Sequence, residues 1–253
     1  MNPLDFAIEV ATEAGKILLS HRGTDLNRTI KRHAEDYATD ADYASEKYIL
    51  SRITEAFPND AIVADESGHH EKASPEYTWI VDPLDGTKNF ANGSEDFGVF
   101  IARCIKDEVV LAVAYNPVQD LLATGELGKG AFLNGTKVDL QTIENVDDKI
   151  LTANSDLYTR LLPVRESRTK SSAISSTLDV LRGLHSGYVG NAGLIWDFAV
   201  PALLAKEAGW HVTNFANRPF IWDGKVEYGL PGIIAAPKEF HAKIVNLLSS
   251  TKP

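Results

Sequence analysis

The stretch Trp79-Ile80-Val81-Asp82-Pro83-Leu84-Asp85-Gly86-Thr87 decides how this chain is read: three apolar residues lead into two acids, a proline, a glycine and a hydroxyl. An ionised carboxylate at the end of a buried strand is costly unless it is paired, hydrogen-bonded or bound to a cation. Two acids three positions apart also repel each other, and no Lys or Arg lies inside residues 82–87. A hard divalent cation answers both costs, since Mg²⁺ takes carboxylate and carbonyl oxygens and commonly shares its site with substrate phosphate. Pro83 fixes its own φ and disfavours helix at Asp82, while Gly86 opens backbone shapes that other residues avoid. A rigid turn is therefore expected over 82–87, with its peptide oxygens available as ligands. A helix starting near Thr87 would add free amides as a phosphate seat. The bland reading is an Asp-Pro turn with a capping Asp. Against it stand further acids at predicted strand ends and helix starts: Asp42, Asp65 and Asp197, with Glu66 beside them.

Composition sets wide bounds. At 253 residues, 44% hydrophobic and 24% charged, the chain can bury a sizeable core as one domain or two intimate halves. Its 25 basic and 35 acidic residues leave a net charge of −10, and no Lys/Arg stripe suits a nucleic-acid surface. A phosphorylated substrate would be repelled at long range, so a bound metal has to supply the attraction. The single Cys104 allows no intrachain disulfide and sits in an apolar run that favours an inert, buried thiol. No apolar run approaches the roughly 20 residues needed to span a bilayer. No membrane partner and a cytoplasmic location are the expectation.

Along the chain, Asn2-Pro3 reads as a cap and first turn, with Leu4, Ala7, Ala11, Ala14 and Leu18 at helical spacing. A second helix is expected over about 40–57, capped by Asp40, with Ala41, Ala44, Tyr48, Ile49 and Ile53 inward; Pro58-Asn59-Asp60 stops it. Residues 61–64 form a short strand that delivers Asp65 and Glu66. Residues 97–105, 109–115 and 121–125 read as an antiparallel meander. In the second half, a strand over 150–153 and helices over 172–184, 196–208 and 238–248 are expected, with Asp197 near the start of the second of these helices and Pro201 close enough to that start to be cheap. His69-His70 reads as a solvated loop, Trp210, Phe220 and Trp222 as core or hairpin aromatics, and Arg165, Arg168 and Lys170 as a solvated face. Layers of helix and sheet, an α/β architecture, accommodate these elements.

Residues 82–87, extended through Lys88-Asn89-Phe90, resemble the signature of the inositol-monophosphatase-like family of magnesium-dependent, lithium-sensitive phosphatases. A second signature follows as Trp196-Asp197-Phe198-Ala199 with Leu203-Leu204 and Glu207-Ala208-Gly209. Between them, Tyr115-Asn116-Pro117 and Gly128-Lys129-Gly130-Ala131-Phe132-Leu133-Asn134-Gly135 look like the family's central hairpin region, and Gly232-Ile233-Ile234-Ala235-Ala236 looks like its C-terminal end. The resemblance covers nearly the whole chain. It implies a layered αβαβα sandwich of the sugar-phosphatase type, with an N-terminal α+β half over 1–140 and a C-terminal α/β half over 141–253 in one compact unit. It implies two or three Mg²⁺ ions, a small phosphorylated substrate, lithium inhibition and a homodimer.

The resemblance also implies roles. Asp82 would bridge two metals, the Leu84 carbonyl would complete the first, and Asp85 with Asp197 would hold the second, the pair clamping attacking and leaving oxygens about 3.5–4 Å apart. Thr87 would position water and relay its proton toward Asp42, preferred over Asp40 because the family places a Thr two or three residues before the acid. The amides of Gly86 and Thr87 would hold phosphate. Three departures stand out. Ala64-Asp65-Glu66 replaces Gly-Glu-Glu, so the family's first-metal and water-orienting glutamate becomes the shorter Asp65, and either the metal sits closer to the strand, or Glu66 or a bridging water fills the gap. Ser171-Ser172-Ala173 replaces Gly-(Ser/Thr)-Ala on the phosphate side. Gly190 stands where inositol-specific members carry a glutamate, which leaves space there and predicts loose selectivity. Phosphates of inositol, histidinol, fructose (the bisphosphate) and 3′-phosphoadenosine are all substrates of relatives. A non-catalytic member acting as a binding partner is the alternative of another class.

Overall fold

The computed structural model describes residues 1–32, 36–140, 150–153, 166–169, 172–190, 193–220 and 232–250. Helix α1 (Pro3–His21) begins as the sequence predicts, with Asn2 Oδ1 accepting from the Leu4 amide and Phe6, Ala7, Val10, Ala11, Ala14 and Leu18 buried. A two-stranded hairpin, β1 (Arg28–Ile30) and β2 (Tyr37–Thr39), leads into α2 (Asp40–Ala56). Asp40 does not cap that helix. Thr39 is the N-cap, its N–H and hydroxyl both donating to Asp42, while Asp40 is exposed and accepts from Asn27. Ala44 and Tyr48 are only half-buried; the inward stripe is Ala41, Asp42, Ser45, Glu46, Ile49 and Ile53.

An eight-stranded sheet follows: β3 (Ala61–Ala64), β4 (Gly68–His70), β5 (Tyr77–Asp85), then α3 (Thr87–Ala91), β6 (Gly98–Ile105), β7 (Glu108–Asn116), β8 (Leu121–Glu126), β9 (Gly130–Leu133) and β10 (Thr136–Val138), in spatial order β10-β9-β8-β7-β6-β5-β3-β4. Only β3 and β5 run parallel; the rest is the expected meander, closed by an Asn134-Gly135 turn with both φ positive, which suits a two-residue hairpin. His69 and His70 lie on the edge strand β4 rather than in a loop. Strand alternation sorts the core. Trp79, Val81, Val99 and Ile101 face α1 and α2, whereas Ile80, Phe100, Ala102 and Cys104 face the other side.

That other side is covered by α4 (Ala173–Leu181) and α5 (Ile195–Glu207), which also pack on a second, five-stranded sheet: β11 (Ile150–Ala153), β12 (Glu166–Thr169), β13 (Gly187–Gly190), β14 (His211–Thr213) and β15 (Ile233–Ala236), ordered β12-β11-β13-β15-β14. Helix α6 (Lys238–Ser250) closes its outer face through Phe240, Ile244 and Leu248. The layers therefore read αβαβα. Pro201 is the seventh residue of α5, inside the helix rather than at its start, so its ring withholds the amide hydrogen that would meet the Asp197 carbonyl. Trp210 is core, its indole donating to the Leu140 carbonyl, and burial pushes the Cys104 thiol up to about 12, as suits an inert thiol. Among the described residues no helix is long and apolar enough to cross a membrane.

Candidate metal centre and active site

The predicted turn at 82–87 is instead the end of strand β5. Pairing to β6 runs to Asp82↔Phe100 and resumes at Asp85↔Gly98, so Pro83 and Leu84 oppose a single residue as a bulge. A bulge is where a strand tolerates a proline without an amide hydrogen, and it turns the acids on either side of it toward one cavity. Gly86 follows with φ +86°, and a Cβ there would lie 2.7 Å from the Asp96 carbonyl, so the chain turns into α3 at a position open only to glycine. Helix α3 does begin at Thr87, but it is a single five-residue turn.

The cavity, about 350 Å³, is lined by Lys31, Asp65, Asp82, Leu84, Asp85, Gly86, Thr87, Ser172, Ala173 and Asp197, with Arg32, Asp36, Tyr37, Lys88, Gly193, Leu194 and Trp196 around them. Carboxylate oxygens of Asp82, Asp85 and Asp197 all lie within 4.8 Å of one another. Asp82 and Asp85 are both contributed by the bulged strand β5, the second as its last residue, and Asp197 by the first turn of α5, so two elements meet at one point. Burial and mutual repulsion push all three upward: Asp197 to about 7, and Asp82 well above the carboxylate range, burial first and then Asp65, Asp85 and Asp197. Asp85 rises for the same leading reason, opposed by its hydrogen bonds to Ser172, Ile174 and Ala173. The cluster is short of positive charge.

Lone-pair arithmetic shows what the acids can still hold. An ionised carboxylate offers about four acceptor positions. Asp85 spends three of them, on the Ser172 hydroxyl (2.6 Å) and the amides of Ile174 (2.8 Å) and Ala173 (3.1 Å) at the start of α4. Asp82 spends one on the Leu84 amide and Asp197 one on the Leu194 amide. Oxygen lone pairs from three carboxylates thus remain directed into a buried, electron-rich space, and this donor set fits a hard divalent cation. Ser172 and Ala173 line the cavity, with their hydroxyl and amide directed at Asp85; Ser171 lies outside the described residues.

Asp65 and Glu66 form a different arrangement. The Lys31 ammonium lies 3.0 Å from Asp65 Oδ2 and 2.7 Å from Glu66 Oε1. Glu66 has a side chain only 1% exposed, its Oε2 has no hydrogen-bond partner among the described residues, and burial followed by repulsion from Asp65 pushes it up to about 8. Asp65 faces the cavity and Glu66 lies behind it. Asp42, buried, accepts the Thr87 hydroxyl at 2.8 Å and is raised by burial against its hydrogen bonds from Thr39 and Thr87. Gly190 does not line the cavity. It is buried at the end of β13, where a Cβ would sit 2.6 Å from Phe198 and 2.9 Å from Ile233, so the space expected there does not exist. Sequence reading missed Lys31, Ser45 and Glu46. The signal for the last two was a pair of polar residues on the apolar inward face of α2.

A two-sheet layered fold with a buried acidic cleft of this kind defines a class, and sequence comparison agrees: the inositol monophosphatase family matches over residues 2–252, and the chain belongs to it. Among its relatives is the Nus factor SuhB of Pasteurella multocida, 32% identical, with 98% of each chain covered. Similar solved structures include the extragenic suppressor protein suhB of Bartonella henselae (TM-score 0.89, 28% identical, all of both chains) and the Thermotoga maritima IMPase (TM-score 0.87, 27% identical, 99% of this chain and 98% of the other).

Proposed function

We propose that this chain is a Mg²⁺-dependent phosphatase of small phosphate monoesters. The observation that carries the reading is the convergence of Asp82, Asp85 and Asp197 beside a hydroxyl already bonded to a buried acid. Divalent ions held there, with Asp65 and the Leu84 carbonyl on one side and Asp85 and Asp197 on the other, would supply Lewis acidity to water, phosphate and the leaving alkoxide. The rest falls to the chain. Thr87 directs its hydrogen toward Asp42, which leaves oxygen lone pairs able to accept a proton from an attacking water; its alternative acceptor, the Leu84 carbonyl, is farther at 3.2 Å. Asp42, raised by burial, is suited to take that proton onward. The backbone of Gly86 and Thr87 borders the space a phosphate would fill. No covalent nucleophile is needed.

Inositol, sugar, histidinol and 3′-phosphonucleotide monoesters all remain candidate substrates. The test is phosphate release from such a panel with Mg²⁺ and in excess chelator. Release that vanishes with chelator and returns with Mg²⁺ is expected; equal turnover in chelator overturns the reading.

A second reading comes from the relatives' name, Nus factor, which points to a role other than hydrolysis. On that reading the chain acts as a binding partner, and its acidic balance suits a protein surface better than nucleic acid. No release from any monoester by Mg²⁺-loaded protein would favour it.

A further inference from the structure

Helix α2 turns three polar side chains inward within little more than one turn, Asp42, Ser45 and Glu46, all buried. Buried polar groups destabilise unless each finds a partner, and here each finds a different segment, one that lines the cavity and two that adjoin its lining. Asp42 accepts from the Thr87 hydroxyl, the Ser45 hydroxyl donates to the Pro83 carbonyl at 2.8 Å, and Glu46 Oε2 accepts from the Glu66 amide at 2.9 Å. The third contact has the widest consequence. Strand β3 ends at Ala64, and the next two amides are pinned separately: Asp65 N–H to the Val81 carbonyl of β5 at 3.2 Å, Glu66 N–H to Glu46. With the peptide between Asp65 and Glu66 held in this way, the Asp65 side chain lines the cavity, the Glu66 side chain does not, and both carboxylates reach Lys31.

We propose that Glu46 is a positioning residue of this site. By holding the Glu66 amide it sets the direction of the Asp65 carboxylate, and thereby the affinity of the cation position that Asp65 serves, without itself touching cation or substrate. The charge of Glu46 is not the point; an acceptor oxygen at that reach is. The activity readout rests on the phosphatase reading, whereas the binding readout does not.

The test uses Mn²⁺ as probe, titrated into the whole chain and followed by electron paramagnetic resonance, alongside the Mg²⁺ dependence of phosphate release. The Asp65-side position is defined as the Mn²⁺ site that Asp65→Ala abolishes. In Glu46→Ala the dissociation constant of that site should rise at least tenfold, while the site abolished by Asp197→Asn moves less than threefold. Glu46→Gln, which keeps an acceptor oxygen at the same reach, should stay within threefold of the parent at both sites. The Mg²⁺ needed for half-maximal turnover should rise tenfold in Glu46→Ala with kcat largely recovered at saturation. Should Glu46→Ala not fold, Glu46→Asp, one methylene too short, is expected to show the same selective loss. Unchanged Mn²⁺ binding in these variants, equal weakening of both sites, or Glu46→Gln as damaged as Glu46→Ala would each overturn the proposal. A parent that binds Mn²⁺ as described but releases no phosphate would sink the phosphatase reading and leave this one standing.

Discussion

The two acidic groups at this site are built on opposite principles. Asp65 and Glu66 come with their own cation, Lys31, which touches both. Asp82, Asp85 and Asp197 touch none among the described residues; their hydrogen-bond donors there are backbone amides and one serine hydroxyl, and their remaining lone pairs meet in a buried space. The difference teaches where an external ion is demanded and where it must compete. At the three-aspartate side an incoming cation relieves repulsion that Lys31, acting on Asp82, and Arg32, acting on Asp197, only partly offset. At the Asp65 side it has to displace an ammonium ion, so weaker binding is expected there.

The sharpest way to break this comparison is to remove charge from the side that lacks a cation. Asp197→Asn and Asp85→Asn each keep nearly the same shape while deleting one negative charge, and turnover should fall at least ~100-fold in either, on the scale of a lost electrostatic transition-state contact. The two should then part company in stability. Asp85 also closes the start of α4 through three hydrogen bonds, so Asp85→Asn turns an amide nitrogen toward donors and should lower metal-free stability by about 1–3 kcal/mol. Asp197→Asn should raise it. Near-native turnover in either variant would remove that residue from the metal site.

A smaller contrast lies within the other side. Asp65 borders the cavity and Glu66 does not. Asp65→Ala is therefore expected to abolish nearly all turnover, and Glu66→Ala to leave at least about a tenth, the worth of one moderate contact. The opposite ranking would transfer the ligand role to Glu66.

The comparison can also be read without any substrate, from the pH dependence of metal-free stability. Asp197 at about 7 and Glu66 at about 8 hold their protons more tightly folded than unfolded, where carboxylates titrate near 4. A raised acid contributes stability that is present at low pH and lost as pH rises through the folded pKa. His241 opposes this: burial, then His211, depresses it to about 4, so its contribution is present above about 6.5 and lost as pH falls toward 4. Above pH 6.5 the histidine no longer differs between states, and the carboxyls act alone. Unfolding free energy of chelated protein should fall between pH 6.5 and 8 by up to about 1.4 kcal/mol per pH unit per proton, and saturating Mg²⁺ should flatten the slope. A chelated protein whose stability rises over that window would show that the acids are not proton-holding in the fold.

Much of this was legible in sequence because local chemistry and long-range structure agreed. Asn2-Pro3 caps α1, the alternating runs form the meander, and the acids at strand ends meet where strand ends meet. What was not legible is what the chain does at a distance. A proline after an acid looks like a turn, and only pairing with β6 makes it a bulge. Lys31 lies on a separate hairpin from the acids it touches, and nothing at its own position announces them. Thr39 and Asp40 compete for one cap, and the winner depends on Asp42 reaching back. That the Ser172 hydroxyl and the Ala173 amide are directed at Asp85 is likewise invisible locally, because Asp85 arrives from β5, far away in sequence.

The smallest effect concerns substrate choice, and it turns on Gly190. An open position at the substrate would let an introduced side chain create selectivity, but this glycine is enclosed by Phe198, Ile233 and Tyr188. Gly190→Ala should therefore lower stability by about 1–3 kcal/mol, the usual penalty for overpacking, and leave the ratio of substrates unchanged. Loose selectivity is still expected, for a different reason: no side chain at this position reaches the cavity to hydrogen-bond a sugar or inositol hydroxyl, and it is such buried polar partners that discriminate strongly. Inositol 1-phosphate should be preferred over glycerol 2-phosphate by no more than about tenfold in kcat/KM, the scale of one weak contact. A preference of a thousandfold would show that another group on the cavity wall grips the inositol ring, and Tyr37, Lys88 and Trp196, which border the opening, would be the first to replace.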